Sequence, residues 1–168
     1  MCIFVAEYRK AMRFIGNIEA RVDAKGRAFF PSTFRKVLQA SGQDLLVLRK
    51  DIFLDCLVLY PESVWNEQLD TLRARLNRYN PKHQLIFRQF VSEVEMIRLD
   101  GNNRFLIPKR YQQLADIRQD IRFIGMDDTI EIWASEKVDG WKMASEDFGK
   151  ALDEVMGSGG GFAEAESH

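Results

Sequence analysis

The fold is decided by one stretch of sequence, Arg21-Val22-Asp23-Ala24-Lys25-Gly26-Arg27-Ala28-Phe29-Phe30-Pro31, because a second version of it occurs 77 positions later. That second version is Arg98-Leu99-Asp100-Gly101-Asn102-Asn103-Arg104-Phe105-Leu106-Ile107-Pro108. Arginine, an apolar residue, aspartate, a second arginine, an apolar residue and proline recur in the same frame without a gap. Such a repeat indicates a fold built twice from one plan. We therefore predict two related units in the 168 residues.

Each copy predicts a strand, a tight turn and a second strand. Residues 17–22 alternate between polar and apolar side chains, which is the period of a half-buried strand. Asp23 and Gly26 supply turn chemistry, since aspartate bonds its own backbone and glycine takes a positive φ. Pro31 ends the second strand, and Ser32 is predicted to cap a short helix. Two apolar runs follow as further strands, so each unit is predicted to be β-turn-β-α-β-β.

The patterns outside the turns predict the order of the remaining parts. We expect an N-terminal extension (1–16), a first domain (17–64), a helical connector (65–92), a second domain (93–136), a C-terminal helix (137–156) and a disordered tail (157–168). The connector is predicted as two helices, the second of which begins after Asn80-Pro81. The tail has the glycine-rich composition of a linker. Residues 1–11 precede the repeated plan, and we expect them to be a non-native or mis-assigned start.

Composition excludes several classes of function. Hydrophobic residues make up 46% of the chain and include 12 phenylalanines, enough for a packed core. No apolar run approaches the roughly 20 residues of a membrane span, and we expect no signal peptide and no membrane partner. Cys2 and Cys56 have neither disulfide nor metal-ligand spacing, so we expect free thiols in a reducing cytoplasm. With His83 and His168 as the only histidines, we expect no metal, no cofactor and no enzymatic activity.

Charge is unevenly distributed, although the net charge is only −1. Residues 17–36 carry five basic and two acidic side chains, whereas residues 136–168 carry eight acidic and three basic ones. A localised basic region is the electrostatic footprint of a nucleic-acid interface, and a solvated face is the alternative. We assign a second basic cluster, between Arg73 and Arg88, to a solvent-exposed helix face or an intersubunit surface.

An aspartate and an arginine four residues apart can pair across the base of each turn. Such a pair would hold the guanidinium in one direction, which suits bidentate recognition of phosphate or of a guanine edge. A purely structural ion pair in a hairpin is the alternative, and an exposed pair contributes only about 0–1 kcal/mol. The residues alone leave both interpretations open.

The paired D-x-x-x-R turns, each followed by proline and a short helix, resemble the MraZ family of transcriptional regulators with tandem SpoVT/AbrB-like domains. The resemblance extends from Met12 to about Trp141 and includes the segments Met12-Arg13-Phe14-Ile15-Gly16, Leu59-Tyr60-Pro61 and Ile130-Glu131-Ile132-Trp133. It implies an α+β fold, mainly β, in which two swapped-hairpin modules form a pseudo-dimeric β-barrel, with helices between and after them. It also implies that subunits assemble into a ring-like homo-oligomer.

The function implied by this resemblance is sequence-specific DNA binding. Family members bind direct repeats in the promoter of a division and cell-wall gene cluster and act mainly as repressors, so we expect a cytoplasmic, nucleoid-associated protein. The candidate DNA-reading residues are Arg27 and Arg104, with Asp23, Asp100 and Gly26 as the orienting and structural residues and Lys25, Arg21 and Arg98 as phosphate contacts. The alternative is an antitoxin-like or protein-interaction module of the same fold that binds a protein through its acidic C-terminus.

The two turns differ in one detail of sequence. Asn103 stands where the first copy has Gly26, and Gly101 directly follows the aspartate of the second copy. Asparagine tolerates positive φ better than most residues. We predict that the turn of Asp23 and Arg27 is the stronger DNA reader, and that the second turn chiefly supports the barrel.

Overall fold

The computed structural model describes residues 13–157, which form two compact units that divide after Ser135. Our expectations for residues 1–11, for Cys2, and for residues 158–168 including His168 concern parts of the chain outside the described residues. None of the helices in the described part has the length and apolar character that crossing a bilayer requires.

The order of elements follows the repeated plan. The first unit contains, in chain order, β1 (Phe14–Arg21), β2 (Arg27–Phe29), α1 (Ser32–Ala40), β3 (Leu45–Lys50), β4 (Leu57–Pro61), α2 (Glu62–Arg75), α3 (Pro81–Ser92), β5 (Val94–Arg98), β6 (Arg104–Leu106), α4 (Lys109–Leu114), β7 (Asp120–Asp127) and β8 (Thr129–Ala134). A 3-10 helix (Ser135–Trp141) follows, and the second unit contains α5 (Ser145–Met156).

The two repeats exchange strands with each other. Six strands form one sheet in the order β1-β7-β8-β4-β3-β5, and β2 and β6 form a two-stranded ribbon. Every pairing is antiparallel, and β1 with β7, β2 with β6, β3 with β5 and β4 with β8 each join one repeat to the other. The expected α+β fold is confirmed, and its main sheet is antiparallel. Among the described residues no hydrogen-bonded pairing joins the edge strands β1 and β5, so the sheet is not closed into a barrel by hydrogen bonds.

Aromatic residues from both repeats meet in the core. Phe30 lies at the centre, with edge-to-face contacts to Phe34, Phe105 and Phe123 at centroid distances of 6.4, 6.2 and 6.5 Å. Phe14 packs on Phe34 at 5.5 Å. Each edge-to-face pair contributes about 0.5–1.5 kcal/mol beyond the area it buries. The residues that follow the two turns therefore build the core as well as the ribbon.

The connector helices are held to the sheet by an aromatic stack. Trp65 of α2 stacks on Phe90 of α3 with ring centroids 5.2 Å apart. The guanidinium of Arg49, only 6% exposed, lies 4.4 Å from the centre of the Phe90 ring. A cation over an aromatic face is stabilised by the ring quadrupole. The second connector helix begins as predicted, with Pro81 as its first residue and the Asn80 side chain accepting from the backbone N–H groups of the first turn.

Three predicted boundaries differ from the structure. β1 begins at Phe14, so it includes three residues that we assigned to the extension. Ser32 is the first residue of α1 and makes no side-chain capping bond, because the extended Pro31 occupies the N-cap position and its carbonyl accepts from Arg35 N–H at 2.9 Å. The C-terminal helix is interrupted between Trp141 and Ser145, since Ala144 is extended with ψ 148°.

The pairing of β1 with β7 gives a stability prediction. Gly125 lies opposite Gly16, and a Cβ on Gly125 would overlap the backbone of Phe14 and Ile15. Backbone atoms cannot move aside without breaking the pairing, so we expect Gly125→Ala to lower the free energy of unfolding by about 1–3 kcal/mol or more in urea denaturation.

The matched control is Gly101→Ala, where a Cβ would meet open space. We expect this control to change the free energy of unfolding by less than about 0.5 kcal/mol. Equal effects of the two substitutions would contradict the close approach of β1 to Gly125.

Candidate nucleic-acid interface

The first turn is organised around the carboxylate of Asp23. Its Oδ1 accepts hydrogen bonds from the backbone N–H groups of Lys25 and Arg27, both at 2.9 Å, and its Oδ2 accepts from Nε of Arg27 at 3.1 Å. Gly26 takes φ 86° and donates its N–H to the Asp23 carbonyl at 3.0 Å. One carboxylate therefore fixes both the path of the turn and the direction of the arginine.

The second turn reproduces this geometry. Asp100 Oδ1 accepts from Asn102 N–H at 2.8 Å and Arg104 N–H at 2.9 Å, and Oδ2 accepts from Arg104 Nε at 3.1 Å. Asn103 takes φ 61° and donates to the Asp100 carbonyl at 3.0 Å. Arg104 is thus held by its aspartate as Arg27 is by Asp23. The geometry gives no reason to rank the turns, and their unequal roles in DNA reading stay a prediction.

Each turn is also bonded to the strand end of the other repeat. The Gly26 carbonyl accepts from Ile107 N–H at 2.8 Å, and the Asn103 carbonyl accepts from Phe30 N–H at 2.9 Å. Glycine is favoured at position 26, because it takes the positive φ without strain and because a Cβ would crowd Gln112 Nε2 at 2.7 Å and the Ile107 carbonyl oxygen at 3.1 Å. These bonds join the two turns to opposite ends of one ribbon.

The β2–β6 ribbon presents both arginines on one face. Arg27 lies opposite Leu106, Ala28 opposite Phe105, and Phe29 opposite Arg104. Side chains alternate along a strand, so Ala28 and Phe105 point into the core, where they are 1% and 2% exposed. The side chains of Arg27 and Arg104 are 33% and 24% exposed on the other face. Because the ion pair uses Nε, the Nη edge of each guanidinium is directed away from its aspartate.

A groove of about 680 Å³ runs beside the ribbon. Its charged lining residues are Arg21, Arg27, Arg35 and Arg104 on the basic side and Glu19 and Asp23 on the acidic side. The structure therefore brings three of the predicted basic residues, Arg21, Arg27 and Arg104, to one place together with Asp23.

The other two predicted basic residues stand apart from this lining. Lys25 is exposed at the tip of the first turn. Arg98 is paired with Asp44 at 2.8 Å, just as Arg21 is paired with Asp120 at 3.0 Å. Both of these salt bridges link one repeat to the other, since they join β1 to β7 and the end of β5 to the start of β3.

Sequence reasoning missed three residues of this surface. Arg35 reaches the groove from α1, and Phe29 and Leu106 stand on the outward face of the ribbon beside the arginines. The alternation of strand side chains could have placed Phe29 on the face of Arg27, because the two residues are two positions apart. No sequence signal pairs Leu106 with Arg27, since that contact depends on how β2 and β6 pair.

A cluster of possible metal ligands lies elsewhere in the described chain. Ligand atoms of Asp51, Cys56 and Glu131 lie within 4.8 Å of one another. Burial raises the pKa of the Cys56 thiol, which keeps it protonated, and thiolate is the form that binds metals. Asp51 accepts from the backbone N–H groups of the following loop, and Glu131 accepts from Trp133 Nε1 at 2.9 Å. These hydrogen bonds of Asp51 and Glu131 account for the positions of the two carboxylates near Cys56.

The turns give a pH prediction. The backbone N–H groups of Arg27 and Arg104, which bond the ionised carboxylates, hold the pKa of Asp23 and of Asp100 below the ordinary value of 3.8. A lowered folded-state pKa adds stability that is fully present above the unfolded-state value and is lost as pH falls through the folded-state value. We expect the free energy of unfolding, measured in urea, to fall between about pH 4 and pH 2, and to fall less steeply in the double variant Asp23→Asn, Asp100→Asn.

The control is Asp70→Asn on the exposed side of α2. This variant should show the same slope of the free energy of unfolding against pH as the wild type. A double variant with the slope of the wild type would show that the turn carboxylates are not the acid-sensitive groups.

Comparison with known proteins places this geometry in a family. A family model described as "MraZ protein, putative antitoxin-like" matches the chain twice, over residues 14–89 and 90–148. The two matches correspond to the two repeats, each with one D-x-x-x-R turn.

Similar proteins share most of the chain. A protein of Phocaeicola vulgatus named "Transcriptional regulator MraZ" is 65% identical over 147 residues, covering 88% of this chain and 96% of that protein. A protein of the same name from Bacteroides thetaiotaomicron is 63% identical over 145 residues, covering 86% of this chain and 93% of that protein. One from Christiangramia forsetii is 35% identical over 148 residues, covering 88% and 95% respectively. With both repeats matched and identity of this extent, the chain belongs to the MraZ family.

Proposed function

We propose that this protein is a transcriptional regulator that binds DNA sequence-specifically through the outward face of the β2–β6 ribbon. The observation that carries the proposal is the pair of arginines on that face, each held at Nε by an aspartate of its own turn. The name "Transcriptional regulator MraZ" of similar proteins supports the regulatory role.

The shape of the ribbon suits the major groove of DNA. That groove is about 12 Å wide and admits a two-stranded β-ribbon, whereas the minor groove is about half as wide. The backbone of β2 and β6 is anchored to the core by Ala28 and Phe105, so the ribbon can enter as a rigid unit. Little conformational entropy is then lost on binding, which favours affinity.

The arginines are proposed to read guanine. A guanidinium bonded at Nε keeps its two Nη groups for an external acceptor, and guanine presents O6 and N7 as a bidentate pair in the major groove. Asp23 and Asp100 act as orienting residues, with Gly26 allowing the close approach of the first turn. Lys25, Arg21 and Arg98 are proposed to contact phosphates, which position the protein and add salt-dependent affinity.

The larger assembly follows from the family resemblance and is likewise a proposal. We propose that the exchanged strands form a pseudo-dimeric barrel, that subunits associate as a ring-like homo-oligomer, and that the ring binds direct repeats in the promoter of a division and cell-wall gene cluster. When several subunits of one ring bind repeated sites at the same time, the overall affinity rises although no single subunit makes a new contact. Binding there would repress the cluster and place the protein at the nucleoid in the cytoplasm.

A second candidate function is an antitoxin-like or protein-interaction module, which the wording of the family description favours. Its proposed partner surface is the acidic C-terminal region. Deleting residues 157–168 separates the candidates, because loss of a protein partner with unchanged DNA affinity would favour the second one.

Affinity measurements on substituted proteins test the DNA-binding proposal. Duplexes selected from a random pool by the wild-type protein serve as the specific probe, and an unselected duplex serves as the non-specific one. We expect Arg27→Ala, and separately Arg104→Ala, to weaken binding to the selected site by about 1–3 kcal/mol, because a bidentate base contact is lost. Lys25→Ala should weaken binding to both probes equally. It should also reduce by about 1 the slope of the logarithm of affinity against the logarithm of salt concentration.

The control variant is Arg13→Ala. Arg13 is also an exposed arginine paired with an aspartate, Asp127 at 3.8 Å, but it lies at the other end of β1, about 25 Å along the strand. We expect it to leave affinity and salt slope unchanged. If Arg27→Ala and Arg104→Ala behaved like Arg13→Ala, the ribbon would not be the DNA-reading surface.

A further inference from the structure

The outward face of the ribbon carries two apolar side chains that serve no purpose in the core. Phe29 is 64% exposed and Leu106 is 51% exposed, while their strand neighbours Ala28 and Phe105 are buried. Exposed hydrophobic residues are common singly on protein surfaces. Here, however, they share one small face with the two oriented arginines.

The register places each apolar side chain directly across from an arginine. Arg27 lies opposite Leu106, and Phe29 lies opposite Arg104. Side chains that face each other across an antiparallel pair have Cβ atoms about 4.5–5.5 Å apart. A ligand that contacts one guanidinium therefore also contacts the apolar side chain across from it. This arrangement occurs twice, once with the arginine on β2 and once with the arginine on β6.

From this pattern we propose that Phe29 and Leu106 contact the 5-methyl groups of thymines that neighbour the guanines read by Arg27 and Arg104. The inference rests on the proposed function. It adds a second class of base contact and two specificity-determining residues that are neither charged nor part of the turns.

The chemistry of the major groove favours this assignment. Its edge displays hydrogen-bond acceptors on guanine next to one apolar group, the thymine methyl, whereas the minor groove displays no methyl group. Phosphates offer only charged oxygens, which Phe29 and Leu106 cannot bond. A face that alternates guanidinium and hydrocarbon thus matches the major-groove edge of a site with adjacent guanine and thymine.

The spacing of the arginines sets the scale of the site. Arg27 and Arg104 are diagonal neighbours in the ribbon, a relation that puts the two residues about 7–8 Å apart. Successive bases are about 3.4 Å apart along the helix axis. The two guanines should lie about two base steps apart, with the thymine contacts beside them.

Base analogues in the selected duplex test the proposal with the full-length protein. Uracil in place of thymine removes only the methyl group, and 7-deazaguanine in place of guanine removes the N7 acceptor. We expect single uracil substitutions at two positions to weaken binding of the wild-type protein by about fourfold each, the factor that burial of one methyl group carries. Phe29→Ala should abolish the uracil effect at one position and Leu106→Ala at the other, while both variants stay sensitive to 7-deazaguanine.

Ile15→Ala is the matched control, because Ile15 is a 75% exposed apolar residue at the far end of β1. It should keep both uracil effects, and thermal unfolding should show all three variants to be folded. Phe29→Ser provides a second test at the same position, with the same loss expected.

The outcomes separate the two proposals. If 7-deazaguanine weakens binding but uracil has no effect at any position, the methyl contacts are overturned and the proposed DNA reading stands. If Phe29→Ala keeps every uracil effect, Phe29 faces something other than DNA, such as a protein partner, and the inference is also overturned. If the pool yields no preferred sequence, the proposed function itself fails.

Discussion

The hydrogen bonds that converge on the carboxylates of Asp23 and Asp100 are the interaction on which the rest of the site depends. Each carboxylate accepts two backbone N–H groups and one arginine Nε, so it sets the turn and aims the guanidinium at once. The turn carbonyls then bond the strand end of the other repeat, at Ile107 and Phe30. Loss of a carboxylate would therefore loosen the arginine and the ribbon together.

Duplication gives the molecule one core and one exposed ribbon face that are built from residues of both repeats. A unit of roughly half this length would bury a smaller fraction of its surface than the whole chain does. Because β2 pairs with β6 and β1 with β7, Phe30 and Phe105 meet in the core while Arg27 and Arg104 meet on the surface. The same exchange thus places core residues on one face of the ribbon and the residues of the proposed DNA-reading surface on the other.

Local features of the fold could be predicted from sequence, and the partners of each element could not. The alternation in residues 17–22, the Asp23 turn and the start of a helix at Pro81 depend on neighbours in the chain, which the sequence displays. The pairing of Arg21 with Asp120 joins residues 99 positions apart, and the presence of Arg35 and Arg104 in the lining of one groove depends on packing. Asn103 adopts the positive φ that Gly26 takes in the first turn, which agrees with the tolerance of asparagine for this conformation.

Chemical protection of guanine N7 tests most directly whether the twin arginines read DNA. Dimethyl sulfate methylates N7 in the major groove, and a guanidinium bonded to that nitrogen blocks the reaction. In a selected duplex we expect the wild-type protein to protect guanines about two base steps apart, with Arg27→Ala exposing one of them and Arg104→Ala exposing the other. Protection that was absent in the wild type, or unchanged in both variants, would contradict a ribbon whose two turns each present a base-reading arginine.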